Sequence, residues 1–237
     1  MRSTTSTPSP DQPGGSTTTF LATAILVAGG VVLAALAQIW ALRLGVRKNL
    51  YVSGLGADGE PTAAAFNAAL LAVALGGLAL AILSEIVASR PRAGSKRMVT
   101  TRRPLVTPPV LIVVSSVCFV FASRVPCSYG CPVPGSDAFL AQDALHITAA
   151  VAGFVWACLA MISAVCQAEF RVTRVGSAIA MAVVALSAGL GGLLSLSGRH
   201  GDIGSWMEFV ATTIALLWLV GYCVAEAPWP TRRRRSR

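Results

Sequence analysis

A chain of 237 residues that is 54% hydrophobic and only 12% charged does not read as a water-soluble domain, whose charged share is roughly a quarter. Its mean hydropathy of +0.68 and its apolar residues, grouped in blocks, point to a polytopic protein whose first partner is the lipid bilayer. The formal charge of +9 would suit nucleic acid. Nearly all of that charge lies between or beyond the apolar blocks, however, and no nucleic-acid-binding motif or aromatic platform accompanies it, so that partner is set aside.

Residues 1–19, rich in Ser, Thr, Pro and Gly, have almost nothing to bury and are expected to form a disordered tail. The first span is expected from Phe20 to Leu42, an uncharged run long enough to cross a bilayer core. A signal peptide cleaved after Ala37 is the competing reading. Against it, the nearest preceding basic residue is Arg2, and the apolar run continues to Leu44.

A glycine-rich loop, Arg43 to Pro61, leads to the second span, Thr62 to Ala88. A basic loop follows, and prolines 104, 108 and 109 make an irregular start to the third span, Leu105 to Ser123. The stretch Arg124–His146, RVPCSYGCPVPGSDAFLAQDALH, is the long polar interruption in the apolar half of the chain. Three more spans are expected: Asp143 to Gln167, Val175 to Ser197, and Trp206 to Val224. The fold class is therefore all-α, a polytopic transmembrane bundle of six spans over residues 20–226, with a basic tail at 227–237.

Six spans place both termini on one side. That side collects fourteen basic residues against five on the other, so the termini are expected in the cytoplasm and the chain in a bacterial cytoplasmic membrane. Arg43, Arg47 and Lys48 are the local exception, where a helix C-terminus favours cations. Trp40 and Trp206 fall at the outer interface and Trp229 at the inner one. The run Arg232, Arg233, Arg234, Arg235 fixes the C-terminus inside and could meet anionic lipid headgroups. Gly29, Gly30, Gly76, Gly77, Gly189, Gly191 and Gly192 suit close helix crossings, and Ser187, Gly191 and Ser195 lie on one helical face.

The segments SGLGADGEP, AAFNAALL and VPCSYGCPVPG, with His146 opening a span, together resemble the bacterial six-helix membrane family catalogued as domain of unknown function 998. The resemblance runs in order through most of residues 20–226 and implies the same six-helix fold. The family's first outer loop usually reads Ser-Glu-Leu-Gly; here Gly54 replaces the glutamate, while Ser53, Leu55 and Gly56 match. The resemblance implies no particular reaction.

Candidate chemistry gathers on the outer side. Six of the ten acids and both histidines fall there: Asp58, Glu60, Asp137, Asp143, Asp202, Glu208, His146 and His200. Asp143 and His146, three apart, share a helical face. With His200 they form a candidate zinc set, and with Asp202 and Glu208 a candidate catalytic set, since zinc accepts imidazole nitrogen and carboxylate oxygen and can activate water. No HExxH or other dense ligand pair is present, and the plainer reading is helix capping at the interface.

Cys127 and Cys131 are expected to form a disulfide, bent together by Pro126, Gly130 and Pro132. A redox pair, or two thiols plus His146 on a metal, are the alternatives. Cys118, Cys158, Cys166 and Cys223 read as small apolar side chains. Glu85 can reach the inner interface beside Arg90. Gln38 and Asn67 either line a pocket or bond across helices.

The expected function is a bundle that binds a lipid or small molecule, or supports a partner. Its outward-facing polar pocket would be built from loops one, three and five, with Ser53, Asp58, Glu60 and Asn67 as candidates. A metal-dependent, membrane-embedded hydrolase of a lipid or envelope substrate is the alternative, but no nucleophile–base pair can be read, so the sequence leans away from an enzyme. A secondary transporter is the third reading, without paired mid-bilayer charges or an inverted repeat to support it.

Overall fold

The computed structural model describes residues 14–47, 50–89, 106–168, 170–197 and 201–228. Among the described residues the fold is all-α: six helices, α1 (Gly14–Gly45), α2 (Ala63–Ser89), α3 (Pro108–Arg124), α4 (Ala141–Gln167), α5 (Arg171–Leu196) and α6 (Gly201–Ala225), plus a short 3₁₀ turn, Ser53–Gly56. Five of the helices are long and apolar enough to cross a membrane; α3, at 17 residues, is a shorter apolar helix. The chain is built as a multi-pass membrane protein. His200, the basic loop after α2, Lys48, Trp229 and the arginines 232–235 lie outside the described residues.

Two boundaries differ from expectation. The first helix begins at Gly14 rather than Phe20, so the end of the supposed tail is helical. Ser16 to Thr19 carry no hydropathy signal, yet a helix needs only its backbone hydrogen bonds to continue through them. The third helix begins at Pro108 rather than near Leu105. Pro108 and Pro109 occupy its first positions, where a missing N–H costs nothing.

Each helix packs on the next in chain order, and α6 packs on α1, closing a ring. Neighbours run antiparallel, as their side-chain bonds record. Gln38 near the end of α1 donates to Ala65 O at the start of α2, at 3.2 Å. Gln167 at the end of α4 donates to Val106 O before α3, at 3.0 Å. The end of α1, the 3₁₀ turn, the 125–140 segment and the start of α6 therefore share one end of the bundle, called the loop end below.

Small residues set the closest crossings. A Cβ on Gly76 would lie 2.7 Å from Val32 of α1, and one on Gly77 would lie 2.8 Å from Ser116 of α3. Gly191 of α5 faces the backbone of Gly204 on α6, where a Cβ would sit 3.1 Å from its carbonyl. Gly30, Gly189 and Gly192 have nothing within 4 Å, so only one member of each expected glycine group makes a crossing on α1 and α5. Without a hydrophobic driving force between helices in lipid, such contacts carry much of the association.

Candidate functional site

At the loop end, Asp143 is the third residue of α4 and is 0% exposed. Its carboxylate accepts the Leu140 N–H (2.9 Å), the Ser128 N–H (2.7 Å) and the Ser128 hydroxyl (2.9 Å). The Leu140 bond is the acidic half of a capping box, which fixes where α4 starts. The Ser128 bonds clamp a turn closed by the Cys127–Cys131 disulfide, whose Cα atoms are 4.9 Å apart. In that turn the Cys131 N–H donates to Ser128 O at 2.9 Å. Gly130 holds a φ of +79°, which glycine adopts without steric cost.

The same turn grips the first loop. The Asp58 N–H donates to Cys127 O (2.8 Å), and the Gln142 amide donates to both the Asp58 carboxylate (2.8 Å) and Pro126 O (2.7 Å).

One turn along α4, His146 is 2% exposed. Its Nδ1 lies 2.8 Å from Val125 O and 3.1 Å from Ala122 O, at the end of α3. A ring nitrogen facing two carbonyl oxygens must donate, so in the neutral ring the proton sits on Nδ1 and Nε2 is left as an acceptor. Among the described residues Nε2 has no hydrogen-bond partner.

Across the ring, Glu208 of α6 reaches the first loop. Its carboxylate accepts the N–H of Val52 at 2.8 Å and that of Ser53. It thereby holds the 3₁₀ turn Ser53–Gly56 from 156 positions away in sequence. Gly54 is buried in this turn. The carboxylate at this turn is supplied by α6.

His146, Glu208 and Ser53 form the polar end of a partly open cavity of about 100 Å³. Its wall runs along α2 from Phe66 to Ala74, α3 from Ile112 to Ala122, α4 from His146 to Ala157 and α6 from Glu208 to Leu219, with Ile39 of α1. No α5 residue lines it. The wall is mostly apolar, with Ser115, Ser116 and Thr212 as its mid-depth hydroxyls.

The structure places the other sequence candidates as follows. Asn67 bonds to Gly56 O at 2.9 Å and stiffens the turn beside the cavity. Asp58, Asp137 and Asp202 are exposed. Glu60 lines a separate surface groove with Arg47. Gln38 bonds across α1 and α2. Among the described residues no three of His, Cys, Asp and Glu come together as a metal-ligand group, and the Asp143 carboxylate is committed to three hydrogen bonds. His200, the third proposed ligand, is outside those residues. Cys223 is buried, whereas Cys166 is exposed.

Arg43 departs from its expected place at the water interface. It is 5% exposed, its guanidinium 4.8 Å from the centre of the Trp206 ring and 5.6 Å from that of Phe209. The aromatic faces attract the cation and replace some of its lost hydration. Sequence reasoning passed over the lining residues Ser115, Ser116, Thr212 and Trp218. Their signal was a hydroxyl or an indole inside an apolar run, away from the interface where polar tips are usual. No protein-family model, curated protein or solved structure matches the chain.

Proposed function

We propose that this chain is a six-span protein of a bacterial cytoplasmic membrane, with both termini cytoplasmic, that binds a slender amphiphilic molecule in the cavity of its helix ring. In this reading α3, a 17-residue apolar helix packed between α2 and α4, is the sixth crossing. The basic residues beyond the apolar blocks support the orientation. The segments that resemble domain of unknown function 998 support membership of that family.

The observation that carries the reading is the shape of the cavity. Its volume, about 100 Å³, is below that of an engineered cavity of about 150 Å³ that binds benzene. Yet it extends from Glu208 to Leu219, about 16 Å along α6 at 1.5 Å per residue. A thin space with a polar end suits the head and first carbons of an unbranched chain, the rest of which leaves by the open side, better than a ring.

Native mass spectrometry of the full chain in mild detergent tests this. A retained lipid-like adduct is expected in wild type. It should be lost in Ala150→Phe, which fills the cavity wall, and kept in Thr148→Phe, which faces outward. An adduct indifferent to Ala150→Phe would refute the reading.

A further inference from the structure

The apolar wall cannot by itself choose a ligand. A chain already dissolved in the bilayer exchanges one hydrocarbon environment for another on entering the cavity, with little net gain. Selection falls to the polar groups, and their hydrogen bonds are unevenly spent.

The Ser115 hydroxyl donates to Gly153 O at 2.8 Å, and the Thr212 hydroxyl donates to Glu208 O at 2.9 Å. Each has given its one proton to a helix carbonyl, and its oxygen can only accept. The Trp218 indole N–H is likewise given to Ser177, at 2.9 Å. His146 has spent its Nδ1 proton on α3 and, as a neutral ring, presents Nε2 as an acceptor. The Glu208 carboxylate takes two backbone N–H groups out of about four acceptor positions, so capacity remains. Only the hydroxyls of Ser53 and Ser116, which make no hydrogen bond among the described residues, still have a proton to give.

Building on the cavity reading above, we infer that the site selects an unbranched chain whose head donates hydrogen bonds, a primary alcohol or a primary ammonium, to Glu208 and His146 Nε2. A head that only accepts finds few donors. A carboxylate head and Glu208 cannot both stay ionised side by side in a site screened from water.

Tryptophan quenching by chains bearing a terminal bromine tests this on the full chain in lipid nanodiscs, because Trp218 lines the cavity. The probes are ω-bromoundecanol, ω-bromoundecylamine, the methyl ether of the alcohol, and ω-bromoundecanoate. Saturable quenching that disappears in Trp218→Phe reports the cavity and separates it from general partitioning into lipid. The alcohol and the amine should bind about tenfold tighter than the ether and the carboxylate, the size of one good hydrogen bond to a charged or buried acceptor.

Glu208→Gln should remove the amine's advantage, and His146→Phe should narrow the gap between alcohol and ether. The comparison of heads on the wild-type protein needs no variant, so a misfolded mutant does not obscure it. If ether or carboxylate binds as tightly as the alcohol, the inference is wrong while the cavity still takes a chain. If no probe quenches saturably, the cavity reading fails and the inference with it.

Discussion

Helices α5 and α6 pack against each other, yet they occupy different worlds. Along α6, Glu208, Thr212, Leu216 and Leu219 face the ring interior and line the cavity, and Thr213 and Trp206 meet Trp40 of α1. No residue of α5 reaches the cavity. It turns Val172 (84% exposed) and Leu186 (65% exposed) outward, and its inner contacts serve only to seat it against α4 and α6. Both helices are apolar enough to span a bilayer. What separates them is where their polar groups point and what those groups hold. In lipid, hydropathy reports membership of the membrane, and fixed polar contacts report the interior.

The largest effect should come from breaking those contacts at the loop end. Asp143→Ala removes the acceptor of three bonds and leaves the Leu140 and Ser128 N–H groups without it. A loss of about 3 kcal/mol is expected, read as a lower thermal midpoint in detergent. Asp143→Asn keeps an acceptor and should lose roughly a third of that. An Asp143→Ala protein as stable as wild type would mean that the turn is held by other means.

The second test separates the two faces of α5 itself. Gly191→Leu would push into the carbonyl of Gly204 and should cost about 2–3 kcal/mol by overpacking. Gly192→Leu, next in the chain, meets nothing within 4 Å and should be neutral by the same assay. Equal costs for the two would erase the distinction between the α6-facing side and the lipid-facing side.

Much of this architecture was legible in the sequence, for a physical reason. An apolar run long enough to cross a bilayer leaves few choices, and the second span, expected at Thr62–Ala88, is observed at Ala63–Ser89. The pairing of Asp143 with His146 on one face was also legible, because helical periodicity alone fixes it. Their partners were not. Ser128, Ala122 and Val125 come to them through the path of an irregular segment that no periodicity describes. In the sequence Glu208 is one acid among several at the interface, and its grip on Val52 joins positions 156 apart in the chain. The cavity was invisible for the same reason: its wall needs the rotational phase of five helices at once, and each helix alone shows only scattered small residues and hydroxyls.

The disulfide gives an intermediate effect. Replacing Cys127 and Cys131 by serine frees the turn that carries Ser128. By the loop-entropy relation for so short a closed loop, the loss should be about 2 kcal/mol. Reduction of the wild-type protein should lower its thermal midpoint by the same amount and should leave the double variant unmoved. A shift in both would trace the effect to the reductant rather than to this bond.

The smallest effect is the most diagnostic of the setting. Leu186→Ala on the outer face of α5 removes a large apolar side chain, and in the core of a soluble protein such a loss costs about 2–5 kcal/mol. Here the removed methyl groups touch no protein interior. The lipid or detergent that replaces them is as apolar as leucine, so no transfer free energy is forfeited and no rigid cavity is left behind. The expected change is under about 0.5 kcal/mol. Ala substitution at buried Leu80, fully enclosed between helices, should instead show the full soluble-protein cost. If Leu186→Ala destabilised as strongly as Leu80→Ala, the outer face of α5 would have to be covered by protein, and its contrast with α6 would be one of partner rather than of solvent.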